Sequence, residues 1–86
     1  MFYVYLLQHT ETREIYIGFT ADLKRRVAEH DAKGTKFTTR KTGRWFLKYY
    51  EAYASQEDAR LRESKLKKHG SAKHKLVDRL KESINL

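Results

Sequence analysis

Five side chains, Tyr5, Tyr16, Arg26, His30 and Glu63, are of types that move protons, bind anions or bind cations, and their spacing sets them among apolar positions. Over residues 21–32, at about 100° per residue, Leu23 and Val27 mark the buried stripe of a helix. His30 falls in the same sector and Arg26 lies about 60° from Leu23, whereas Arg25 points to the opposite side, so the two arginines are not equivalent. Further on, Ala59 and Leu66 share a helical face and Glu63 falls about 40° from Ala59, which aims a carboxylate toward the protein. A carboxylate removed from water needs a cation beside it, and a break in apolar periodicity often marks function. Two partners are open to Glu63: Arg26 in a structural ion pair, or a metal ion.

The elements that hold these groups follow from periodicity and punctuation. Phe2–Gln8 and Ile15–Phe19 are rich in aromatic and β-branched residues and flank a polar segment, the pattern of a β-hairpin. Alternation then puts Tyr3, Tyr5 and Leu7 on one face of the first strand, and Tyr16 and Gly18 on one face of the second. Gly18 leaves open space beside Tyr16 where a ligand or backbone can approach. Thr20 is placed to cap the helix 21–32, Gly34 to stop it, and the polar, basic stretch 33–44 reads as a loop. A third strand covers 45–54, with Trp45 reading as core. Ser55 and Asp58 form a capping-box-like start to a helix over 56–69 that ends at Gly70, and Ser71 is placed to cap a last helix carrying Leu76, Val77, Leu80 and Ile84. The order is ββαβαα, an α+β class.

Eighty-six residues without proline, linker or repeat predict one domain spanning 1–86, of a size that buries about 60% of its extended-chain surface. Forty per cent apolar residues and eleven aromatics supply a core without staples, which excludes a disordered chain. With no cysteine there is no disulfide framework and no thiol nucleophile; with no apolar run near the roughly 20 residues of a span, no membrane association is expected and the location is read as cytoplasmic. The net charge of +8 is concentrated: +7 across 24–48 and +6 across 60–79, separated by −3 across 49–59. Two basic blocks that converge attract a polyanion through counterion release, so nucleic acid is the leading partner.

These residues resemble the GIY-YIG nuclease superfamily, in particular its small stand-alone bacterial members, which are similar to the N-terminal nuclease domain of the bacterial excinuclease. Tyr3-Val4-Tyr5 corresponds to the first tripeptide of the signature, departing in its first residue, and Tyr16-Ile17-Gly18 to the second, with ten residues between Tyr5 and Tyr16. An arginine followed four residues later by a histidine selects Arg26 with His30, and Glu63 matches the family's metal-binding glutamate. The late polar residue that some members carry, usually Asn, has no clear equivalent; Lys73 or Lys75 occupies that region.

The resemblance implies a three-stranded antiparallel sheet flanked by helices, and phosphodiester hydrolysis with one divalent ion, Mg²⁺ or Mn²⁺, at Glu63. Arg26 then grips the scissile phosphate, Tyr5 or Tyr16 acts as general base, and His30 orients a tyrosine or relays its proton. Lys24, Arg25, Lys33, Lys36, Arg40, Arg62 and Lys67 are expected to contact nucleic acid phosphates without reading bases. DNA is the expected substrate, in a repair-type role and by structure preference, since no appended recognition domain is present. The competing reading is a nucleic acid binding module on the same fold with negligible catalysis; another is an interaction protein whose basic faces meet acidic partners. Oligomeric state is not legible.

Overall fold

The computed structural model describes residues 1–37 and 43–84, and only the backbone of 31–37. Three strands, β1 (Phe2–His9), β2 (Ile15–Thr20) and β3 (Trp45–Tyr53), form an antiparallel sheet in the order β2-β1-β3. Helices α1 (Leu23–Phe37), α2 (Gln56–Lys68) and α3 (Gly70–Arg79) follow the expected α+β order, with a last short helix α4 (Lys81–Ile84). No helix among the described residues is long and apolar enough to cross a membrane.

The centre strand is covered on both sides, and Val4 through His9 are all buried. One face of the sheet, with Val4, Leu6 and Ile17, packs on Ala59 and Leu66 of α2 and Leu76 of α3. Tyr5 and Leu7 point to the other face, the side of α1, where His30 reaches Tyr5. Residues i and i+2 of β1 share a face, so successive residues serve the core and the site alternately.

Local punctuation differs from expectation in four places. Thr20 does not cap α1 directly: its hydroxyl accepts from the Asp22 amide at 3.0 Å, and the Asp22 carboxylate caps the helix by accepting from Arg25 N at 3.2 Å. Gly34 does not stop that helix, which runs through 33–37 instead of yielding to a loop; an interior glycine weakens a helix by about 1 kcal/mol but leaves its hydrogen bonds intact, and no proline follows to remove them. Gly70 opens α3 rather than ending α2 in a left-handed cap; the chain turns one residue earlier, at His69, held in an extended conformation (φ −110°, ψ 101°). That leaves Ser71 inside α3, so it is not the cap. The final helix breaks at Leu80, with Leu76 and Ile84 buried on either side of the break.

The remaining signals match. Ser55 Oγ accepts from Asp58 N at 3.3 Å, with Glu57 and Asp58 in the first turn of α2 and Lys65, Lys67 and Lys68 in the last, as the helix dipole favours. The β1–β2 loop is tied by His9, whose Nδ1 accepts from the amides of Glu11 and Thr12 at 3.2 and 3.1 Å, so that its proton sits on Nε2. Between Leu6 and Leu7 the pairing with β3 shifts register, a bulge that pairs Leu6 with Tyr49 but Leu7 with Leu47.

Candidate active site

Cross-strand pairing brings Tyr5 opposite Gly18 and Leu7 opposite Tyr16, so the two tyrosines stand on one face, diagonal to each other, with ring centres 6.2 Å apart. The expected open space at Gly18 does not exist. A Cβ there would overlap the Tyr5 hydroxyl and come within 2.9 Å of Tyr16 Cε1. The glycine is required because the Tyr5 phenol lies across it, not because a ligand enters.

Helix α1 adds the imidazole and the guanidinium. Tyr5 Oη and His30 Nε2 are 2.9 Å apart, and the His30 ring sits 4.5 Å from the Tyr16 ring centre. Tyr5 is almost wholly buried, whereas Tyr16 is 36% exposed. Burial pushes the Tyr5 phenol above its ordinary value of 10.0, although the Arg26 guanidinium beside it pulls the other way. Tyr5 thus stays protonated near neutral pH. Arg26 is half-buried, and its Nε is buried with no hydrogen-bond partner among the described residues; its Nη1 stands 3.6 Å from Glu29. Arg25 is exposed, at 4.0 Å from the same carboxylate. Leu23 and Val27, the predicted buried stripe, are only half-buried.

Glu63 of α2 is mostly covered, with its side chain 19% exposed, but its partner is not Arg26. The carboxylate takes Lys67 Nζ at 2.9 Å, one helical turn on, which sets aside the structural pair with Arg26. Lys67 Nζ also lies 5.8 Å from the Tyr16 ring centre, which ties Glu63 to the tyrosine side of the molecule. Beside them, Lys73 lines a cleft with Tyr16, Ile17 and Lys67, while Lys75 lines a separate cavity, so of the two candidates for the late polar position only Lys73 faces this site. Among the described residues there is no group of three or more His, Asp or Glu that would form a closed metal cage. A lone, mostly covered carboxylate fits a hard ion such as Mg²⁺, which keeps most of its waters and shares substrate oxygens.

Not every expected contact residue reaches this face. Arg62 is clamped by Glu51 of β3, its Nε donating to Oε1 at 2.9 Å and its Nη2 to Oε2 at 3.1 Å. Lys24 is exposed at the start of α1. The side chains of Lys33 and Lys36 and the whole of Arg40 lie outside the described residues. Trp45 is half-buried, edge-on to His9 at 5.2 Å and within 6.4 Å of Tyr16, so it packs the border of the site.

Residue types do not point to Glu51. It sits on the core face of β3 and accepts from Tyr49 Oη at 2.5 Å, from the Tyr53 hydroxyl and from Arg62. The alternation Tyr49-x-Glu51-x-Tyr53 is its sequence signal, since three polar-tipped residues on one strand face need a shared partner.

Residues 1–76 match the model of the GIY-YIG catalytic domain. The chain is 39% identical over 76 residues to a UPF0213 protein of Streptococcus pyogenes serotype M5, across 87% of this chain and 80% of the relative. Counterparts from serotypes M3 and M1 match with the same identity and coverage. No solved structure matches significantly. Matched by that model over residues 1–76, and with relatives of nearly its own length, the chain belongs to the GIY-YIG family of nuclease domains.

Proposed function

We propose that the protein hydrolyses phosphodiester bonds in nucleic acid, DNA being the substrate we favour, selecting by structure rather than by base sequence and using one divalent ion held at Glu63. The observation that carries the reading is the packed set Tyr5–His30–Tyr16 with the unpartnered Nε of Arg26 at its edge. A buried donor without an acceptor is costly, and a phosphate oxygen satisfies it with a charge-assisted bond. Tyr16, on the open side, takes the proton of the attacking water as its own phenolic proton passes to solvent. Tyr5, kept protonated by burial, holds the His30 ring in place against Tyr16. The ion at Glu63, when bound, supplies positive charge where negative charge builds on the phosphate. Lys67 must leave Glu63 for that, and its ammonium is then free for a neighbouring phosphate.

The Lys67–Glu63 pair favours a second reading as well, since it neutralises the carboxylate and lets the face bind a polyanion without catalysis. A single-turnover cleavage assay on duplex, nicked, branched and single-stranded substrates with Mg²⁺, Mn²⁺ or EDTA separates the two. Ion-dependent cleavage that Glu63→Gln abolishes, with binding in EDTA retained, supports the nuclease. Binding without cleavage of any substrate in either ion leaves the binding module.

A further inference from the structure

On the far side of the sheet from the tyrosines, α2 and α3 enclose a cavity of about 320 Å³. Its floor is Ala72 and Leu76, and its polar lining is Arg62, Ser71, Lys75 and Arg79, with no acidic residue. Ser71, Lys75 and Arg79 recur at i, i+4 and i+8 of α3, so the helix presents a hydroxyl and two cations along one face. Arg62 comes from α2, and its orientation is set from behind. Glu51, with a side chain 15% exposed, grips Nε and Nη2, leaving Nη1 with no protein partner among the described residues. Lys75 and Arg79 form no ion pair among the described residues. Three cations thus line one concavity, and the carboxylate behind Arg62 already accepts from Tyr49, Tyr53 and Arg62 itself.

We propose that this cavity is a second phosphate site, which takes one backbone phosphate of a nucleic acid strand away from the bond being cut. An orientated guanidinium, a lysine, a second arginine and a hydroxyl are the donor set that phosphate oxygens prefer, and the lack of base-reading groups suits a backbone contact. Part of the 60–79 basic block is thereby turned away from the catalytic face and held at α2–α3, so a bound strand is gripped at two places on the molecule. That the phosphate belongs to a nucleic acid backbone rests on the nuclease reading.

The test uses the exposed pair, Lys75→Gln with Arg79→Gln, and leaves Arg62 intact because Glu51 depends on it. Fluorescence anisotropy with a labelled oligonucleotide in EDTA, over a salt series, reads binding with no cleavage. A control carries Lys65→Gln with Lys81→Gln, the same loss of charge on exposed residues outside the cavity. The cavity variant is expected to bind about tenfold more weakly at low salt and to lower the slope of log affinity against log salt by about one, while the control keeps the parent slope. Equal losses in both variants, or no loss in the cavity variant, overturn the site while leaving Glu63-dependent cleavage as a separate question. If the parent protein binds no oligonucleotide at all, the nuclease reading falls and this proposal with it. The Ser71 amide resonance distinguishes the sources of phosphate. It is expected to shift with the oligonucleotide at concentrations where inorganic phosphate or a mononucleotide has no effect, and saturation by inorganic phosphate at the lower concentration overturns the backbone assignment.

Discussion

Tyr5 and Tyr16 are the same residue type on the same face, yet the sheet gives them different chemistry. Tyr5 lies on the buried centre strand with its hydroxyl at 2.9 Å from His30; Tyr16 lies on an edge strand beside the Lys67 and Lys73 cleft. Tyr16→Phe is therefore expected to lower the single-turnover cleavage rate by about two to four orders of magnitude, the range of a lost proton acceptor, with little change in melting temperature. Tyr5→Phe removes a buried hydrogen bond and is expected to cost about 1 kcal/mol of stability along with a smaller rate loss. Equal rate losses in the two variants would contradict the division of roles. Gly18→Ala is expected to disrupt both tyrosines at once, because the added methyl collides with the Tyr5 ring and Tyr16 Cε1; loss of activity with a lowered melting temperature checks it. The pairing of Tyr5 with Gly18 is not legible in the sequence, since alternation assigns faces but not register across a polar loop. Without that register the glycine reads as an opening. The role of Lys67 is within reach of sequence reasoning, because a glutamate four residues before a lysine on a helix is a pair by default, but its positive charge also suggests phosphate.

At the scale of elements, α2 is fastened to β3 by one polar knot, Glu51 with Tyr49, Tyr53 and Arg62. Burial pushes Glu51 up, but the bonds from Arg62 and the two tyrosines outweigh it and hold the carboxyl below its ordinary 4.5. Stability from this group is present above that ordinary value and is lost as pH falls through the lower folded one. Burial first, and then the bond to Glu51, push Tyr49 and Tyr53 up to about 12, so their contribution is full below the ordinary 10.0 and is lost as pH rises toward 12. Chemical denaturation across pH should show a plateau between these limits. Glu51→Gln is expected to destabilise by about 3 kcal/mol and to weaken the acid limb most, since the burial of the tyrosines remains; an unchanged acid limb would contradict the assignment. Strands and helices are legible because periods of two and 3.6 differ plainly here, and because Ser55 and Asp58 mark the start of α2. Of the knot only the Tyr49-Glu51-Tyr53 alternation is, because Arg62 joins it from eleven residues on, on a different element that only the packed fold brings near. The end of α1 departs from expectation for a different reason: Gly34 has the composition of a stop, although nothing after it denies the helix its hydrogen bonds.

Across the whole molecule, α1 carries a net +3 on one side of the sheet and α2 with α3 a net +4 on the other. Nucleic acid affinity should fall steeply with salt for the parent protein, and a nearly flat plot between low and physiological salt would remove the electrostatic basis of binding. The anchoring of the two halves of the site is unequal. Tyr5 sits on a strand whose residues from Val4 to His9 are buried, whereas Arg26 and His30 hang on α1, where Leu23 and Val27 are only half-buried. Apolar burial sets how much free energy resists local opening, so the backbone amides of β1 should exchange with deuterium only on global unfolding, and those of the first turns of α1 well before it. In dilute denaturant the protein should then pass through a state with an intact sheet and a detached arginine and histidine, losing cleavage and part of its helical circular dichroism before the β1 amides exchange.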